Sequence, residues 1–246
     1  MQPEEGLARL RALGFGEDDA RELWAHFDGA EQRGKQGHGH ARIPWLEGLE
    51  GYDPTAAPSL VEEEDGFQRW HGGGAIGYLV LGRVVRAQLE RPPAHARLVV
   101  CERTFPTGML GHHVRRLADG GLVALLTATS PRRLGHPSGG AKLAGTNPLA
   151  IGIPSSGGDP VVVDASMGAV TWGDVVAGFA QEEELVPFGG EHAHKAFALA
   201  LGLQLLVDAL VRDEGHGAVL LVARPEADPV PALRQLAAGV RLPGDR

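Results

Sequence analysis

The chain has 246 residues, 43% apolar and 22% charged, with a formal net charge of −8. That length fits one sizeable domain, or one core with a small appendage, and an acidic balance with no basic stripe argues against a nucleic-acid surface. The first residues are charged and lack a signal-like apolar stretch, and apolar runs such as LALGLQLLVDALV read as too short and interrupted to span a bilayer, so a soluble cytoplasmic protein without a membrane partner is expected.

Residues 3–28 carry helical spacing, with Leu7, Leu10 and Leu13 on one stripe and Leu23, Trp24 and Phe27 on another beyond the GFGEDDA break. A Gly/His-rich connection covers 29–42, a helix is predicted at about 43–50, and an acidic loop runs through Glu64. Strands and helices then alternate: a helix from Ile76 to Leu89, a strand at 96–102, a helix at 109–118 and a strand at 122–129. After a Gly/Ser/Pro stretch over 130–147 come two strands, LAIGIP and PVVVDAS, and the strongest helix, His194 to Arg212. A strand at 218–224 and a helix at 229–239 close the sequence. This alternation predicts an α/β fold, divided softly into an N-terminal helical segment with an active-site loop (1–50) and an α/β core (51–246).

Several familiar motifs fail on inspection. Gly72, Gly74 and Gly77 spell G-x-G-x-x-G before a helix, but FQRWH is a poor buried strand to precede a dinucleotide fingerprint, and Glu102 arrives late as its acid. Gly135 to Lys142 nearly spells a P-loop, yet Ala141 interrupts it and Leu143 replaces the magnesium-binding hydroxyl. No G-x-S-x-G elbow exists. The pairs His38/His40 and His192/His194 and the adjacent His112/His113 lack a carboxylate placed to complete a ligand set, so no metal is expected. Cys101, the single cysteine, sits in an apolar run and reads as a small core residue. Only Lys35, Lys142 and Lys195 among 23 basic residues are lysines, a mild hint that an ammonium is wanted at those positions.

Other segments match in order. Arg33 to Arg42 followed by Ile43-Pro44 is similar to R-G-x-D-S-H-G-x-x-R-L-P, and Gly111-His112-His113-Val114-Arg115-Arg116 to G-Y-Y-A-R-R. Gly145-Thr146-Asn147-Pro148-Leu149-Ala150-Ile151 is similar to G-T-N-P-x-A-I, and Val163-Asp164-Ala165-Ser166 to L-D-M-A-T/S. Pro187 to Gly190 with His194-Lys195 and the run to Leu201 resembles L-G-G-x-K-G-x-G-L-A-L, and Val240 to Arg246 resembles V-R-L-P-G-E-R. Together, over residues 30 to 246, these segments resemble the malate/L-lactate dehydrogenase family, whose nicotinamide-binding fold is not the Rossmann fold. The resemblance implies a mixed sheet with flanking helices and an N-terminal helical segment.

It also implies an NAD(P)H-dependent oxidoreductase that reduces a small 2-oxo acid or cyclic 2-imino acid, with NAD or NADP as cofactor and a homodimeric assembly. His38 matches the family's proton donor, an imidazole able to give and retake a proton near neutrality. Arg42 matches the carboxylate-binding arginine, whose planar fork suits bidentate recognition. Cofactor contacts are expected from Asp164, Ala165 and Ser166, from His194 and Lys195 at a helix start, and from Pro243 and Gly244. Thr146, Asn147 and His112 are weaker candidates for substrate contact. Two departures bear on the chemistry: D-S-H-G has become Gln36-Gly37-His38-Gly39, and the family's second histidine, in N-H-F-G, aligns with Pro106. The chain is also shorter than typical members, compressed between Ala169 and Pro187 and near Gly215. A repurposed member performing non-redox cyclisation, elimination or isomerisation, or a non-catalytic binding subunit, is the alternative.

Overall fold

The computed structural model describes residues 1–245; Arg246, the last residue of the C-terminal motif, lies outside the described residues. Helices α1 (Pro3–Ala12) and α2 (Glu17–Gln32) carry acidic residues in their first turns, complementing the helix dipole, and α1 has Pro3 where its missing N–H costs nothing. They cross where Gly6 meets the Trp24 ring: a Cβ at Gly6 would lie within van der Waals radii of Trp24. Leu10, Leu23 and Phe27 close over Ile43 and Leu46 of α3 (Arg42–Glu47) and over Ile76, Tyr78 and Leu79 at the start of α4 (Gly77–Glu90).

The remaining chain builds a seven-stranded mixed sheet. Its strands are β1 (Ser59–Glu64), β2 (Phe67–His71), β3 (Ala96–Glu102), β4 (Val123–Ala128), β7 (Leu149–Ile153), β8 (Val161–Ala165) and β9 (Ala218–Ala223), in the order β1-β2-β3-β9-β4-β7-β8. Among the described residues only β2 and β3 pair in parallel. Two short strands, β5 (Leu134–Gly135) and β6 (Lys142–Ala144), form a separate hairpin in the Gly/Ser/Pro stretch. Helices α4 and α5 (Leu110–Asp119) bury Val80, Val84, Val114 and Leu117 against Val99, Leu126 and Leu220 of the sheet. The long helix α7 (Ala193–Leu210) packs on β4 and the hairpin, and α8 (Val230–Leu236) follows β9.

Three expectations are corrected here. The acidic stretch through Glu64 is an edge strand, not a loop, and FQRWH is an internal strand. Its polar residues are buried by pairing: Gln68 accepts from Gln88 at 2.7 Å and donates to Glu63 at 2.7 Å, while Arg69 meets Glu102 at 2.8 Å and Glu62 at 3.1 Å. The third concerns α7: with its leading turn it spans Gly190–Leu210, long and apolar enough by length and composition to cross a membrane, although a third of it is buried within the fold.

The strand before Gly72 makes β2–α4–β3 look more like a dinucleotide site than the sequence did, yet the geometry closes that site. The N-terminus of α4 is filled by backbone: Gly77 donates to the Phe105 carbonyl at 3.3 Å, and a Cβ on it would sit 2.7 Å from the Pro106 carbonyl. Glu102, the acid that a ribose would need, is buried, ion-paired with Arg69, and accepts the Arg212 N–H at 2.8 Å. These glycines permit close chain packing and do not cradle a ligand. The near-P-loop segment folds as the β5–β6 hairpin and leads into no helix.

Candidate active site

Two adjoining cavities, of about 310 and 640 Å³, share Lys35, Met109 and Asp164 in their walls. Both lie where the N-terminal Gly/His connection crosses the ends of β7 and β8.

The first cavity gathers His38, Arg42, Thr146, Asp164, Ala165 and Ser166 from four separated segments. His38 ends a 3-10 turn, Gln36–His38. Its Nδ1 is enclosed and has no hydrogen-bond partner among the described residues, so the ring meets the cavity through its Nε2 edge. Burial, and then the neighbouring Arg42 cation, push its pKa down to about 3. Arg42 begins α3, its guanidinium carbon 4.6 Å from the Trp45 ring centroid. It is 5% exposed, and its Nε and Nη1 have no partner among the described residues. A buried guanidinium in the wall of a cavity is suited to take an anion.

Asp164 ends β8 beside these groups and accepts the Gly111 N–H at 3.0 Å. Burial raises its pKa, and a Cβ at Gly111 would stand 2.9 Å from its Oδ2, so only glycine lets α5 approach. Ser166 accepts the Gly168 N–H at 3.1 Å and so shapes the turn beyond β8. The Tyr78 hydroxyl, in the same wall, is buried without a partner among the described residues. Pro106, which the resemblance aligns with the family's second histidine, lines this cavity too, and its side chain transfers no proton.

The second cavity holds Pro243 and Gly244 together with Arg33, Lys35, Arg115 and Arg241. Gly244 has φ +89, and a Cβ there would lie 2.9 Å from Val162, so the C-terminal segment clips tightly to β8 through the Val162 N–H to Pro243 carbonyl bond of 3.0 Å. Arg115 donates to the Gly244 carbonyl at 2.6 Å. Of the two carboxylates in this wall, Asp245 is already ion-paired with Arg234 at 2.8 Å. The remaining cationic excess suits the phosphates of a dinucleotide, and the two cavities together offer the volume of an extended ligand.

Four expected residues are not brought to either cavity. Asn147 is fully buried, donating to the Ala200 carbonyl and to Gln204, each at 3.0 Å; it ties α7 to the chain before β7. His112 lies behind the wall, its ring centroid 4.5 Å from that of His26. His194 and Lys195 are exposed on the first turn of α7 and line neither cavity. His40, beside His38 in sequence, turns away, stacking on Trp24 and meeting Asp28 at 3.1 Å. Among the described residues no three or more His, Cys, Asp or Glu side chains converge as a metal site. Cys101 is buried, its thiol pushed up to about 12 by desolvation and then by Glu102.

Sequence reasoning missed Trp45, Tyr78, Arg133, Trp172 and Asp174 in the first cavity and Arg33, Arg115 and Arg241 in the second. Arg133 lies 3.9 Å over the Trp172 ring, a pair that shapes the mouth and that no local pattern announces. Lys35, at the junction of the cavities, is the one addition with a sequence signal: its rarity in an arginine-rich chain.

The family model for malate/L-lactate dehydrogenase matches residues 6–178, well over half of the chain. The chain belongs to that family. It is an oxidoreductase of the class whose members are dehydrogenases and reductases of small acids. Solved structures agree over nearly the whole chain. A dehydrogenase from Sinorhizobium meliloti is 25% identical, with a TM-score of 0.81 and coverage of 100% of this chain and 86% of that one. The Δ1-piperideine-2-carboxylate reductase from Pseudomonas syringae pvar. tomato is 22% identical, with a TM-score of 0.82 and coverage of 99% and 89%. A malate dehydrogenase from Entamoeba histolytica is 20% identical, with a TM-score of 0.80 and coverage of 99% and 85%. No curated protein matches the chain. The family model stops before the C-terminal motifs, but the structural likeness carries through them, so the α/β mixed-sheet fold belongs to the family throughout.

Proposed function

We propose that the protein reduces a small 2-oxo acid or cyclic 2-imino acid with NADH or NADPH. The observation that carries this reading is the buried cation of Arg42 in the same cavity wall as His38. Arg42 would hold the substrate carboxylate, and His38 would deliver a proton to the oxygen or nitrogen at C2 as charge develops there. The cofactor, when bound, supplies the hydride. Asp164, Ala165 and Ser166 would hold its nicotinamide end, and Pro243, Gly244, Arg115 and Lys35 its phosphates. Both cavities fit such a ligand: one offers enclosed polar groups and the other a cationic wall. The experiment that tests this follows nicotinamide fluorescence on adding protein, and then loss of nicotinamide absorbance with a panel of 2-oxo acids and cyclic imines.

Pro106 in the cavity wall favours one competing reading, a family member repurposed for non-redox chemistry, in which the same panel leaves the nicotinamide unchanged. A homodimer, expected from the resemblance, finds support in α7: Leu199, Leu205 and Leu206 are 54%, 59% and 46% exposed on one apolar helix, a surface that a second copy would cover. Sedimentation at micromolar concentration should give twice the chain mass; a one-chain mass across the range contradicts the dimer.

A further inference from the structure

We propose that Asp174 is the positioning residue for His38, reached across a glycine-on-glycine contact that brings its carboxylate against the Gln36–His38 turn. The inference rests on His38 being the proton donor proposed above, and its test reads the imidazole itself as well as activity.

The contact is specific. Helix α6 (Trp172–Val176) lies with its first turn on the 3-10 turn that carries His38. A Cβ at Gly37 would stand 2.2 Å from Asp174 Oδ1 and 2.7 Å from its backbone N, so any side chain there would expel the carboxylate. A Cβ at Gly173 would stand 2.4 Å from the Gly37 carbonyl and 2.6 Å from Arg42 Nη2. One helical turn is thereby pressed against Gly37, in the turn that ends at His38, and against Arg42. Two glycines make the approach possible, and Gly37 is one of the positions where this chain departs from the D-S-H-G pattern.

The carboxylate is itself fixed. Asp174 Oδ2 accepts from the Thr171 hydroxyl at 2.7 Å and from the Thr171 N–H at 2.9 Å, closing a capping box at the start of α6. Its Oδ1 is left toward the His38 turn. Around His38 stand Arg42, Lys35 and Asp174, with His26 behind; Asp174 is the one group among them that favours the protonated ring, opposing burial, Arg42 and Lys35. The His38 Nδ1 has no partner among the described residues. On this proposal the Asp174 carboxylate, held against the turn, favours a proton on the enclosed Nδ1, leaving Nε2 as the basic nitrogen facing the cavity. This is the tautomer that can take a proton and hand it to a substrate.

The test is nitrogen NMR of histidine-labelled protein at about pH 7.5, read as the tautomer of His38 in wild type, D174N and T171V. The His38 signal is assigned by its loss in H38A. Wild type and T171V should hold the proton on Nδ1, T171V showing that the cap alone is not responsible. D174N should shift the population toward Nε2–H and lower kcat about tenfold, with the KM for the acid changed less than twofold. The same tautomer in wild type and D174N overturns the proposal, whether or not the protein turns over any acid. Inactive wild type with a tautomer that responds to D174N would instead count against the reductase reading alone.

Discussion

Replacing His38 with alanine should lower kcat for acid reduction by about 10²–10⁴, while nicotinamide binding and thermal stability stay near wild type. The ring makes no hydrogen bond through its enclosed Nδ1 among the described residues, so its removal strands no partner there. A pH signature accompanies the loss. With its pKa pushed down to about 3 by burial and Arg42, His38 is neutral in the free protein at neutral pH. Reduction needs the imidazolium, so kcat/KM should rise as pH falls from about 8 to about 6, approaching a tenfold gain per pH unit. A bound carboxylate cancels part of the Arg42 field, so the kcat limb lies at higher pH than the free-enzyme value. H38A should lose this slope. An H38A variant within threefold of wild type, with the slope intact, would remove His38 from the chemistry.

Acid should unfold the protein through a further set of buried histidines, to which His38 adds. His26, His112 and His113 stack behind the cavity with ring centroids 4.5, 5.1 and 5.4 Å apart, joining α2 to α5. His26 Nε2 accepts the Met109 N–H at 3.0 Å, a bond that protonation would break. Burial, reinforced by the other histidines and Arg116, holds His26 and His113 well below the usual range, and burial with Arg116 and Arg33 holds His112 at about 3. The folded state therefore binds fewer protons than the unfolded chain. Stability is full above about pH 6.5 and falls as pH drops from there toward the folded values.

At about pH 5.5, one unit below the unfolded midpoint, a buried neutral histidine costs at most about 1.4 kcal/mol, so this cluster together with His38 costs on the order of a few kcal/mol. Against a total stability of about 5–15 kcal/mol, that is a large fraction. Urea unfolding at about pH 8 and 5.5 should show a clear drop in midpoint with unchanged slope. His113→Leu should shrink the drop. Equal midpoints at the two pH values would mean that the cluster is hydrated or already protonated.

The contrast between what was and was not legible in the sequence has a physical basis. Apolar runs bounded by turns marked β3, β4, β7, β8 and β9, because those strands bury their side chains without needing partners. Strand β2 was missed because Gln68 and Arg69 look like surface residues until Gln88, Glu62 and Glu102 arrive from other elements. Asn147, read as a substrate candidate, instead uses its amide to hold α7. His38 and Arg42 lie four residues apart on a turn and a short helix, so a local motif could pair them. Asp174 and Tyr78 reach the same cavity from distant segments, and no local pattern encodes that meeting.

The measurement that tests the central claim most directly is a titration of NADH and NADPH with the protein, followed by nicotinamide fluorescence against an unrelated protein as control. Saturable binding at micromolar concentration, followed by loss of the reduced nicotinamide on adding a 2-oxo acid or cyclic imine, is the predicted result. Absence of binding for both cofactors would contradict it, and would leave a family scaffold whose cavity performs chemistry without hydride transfer.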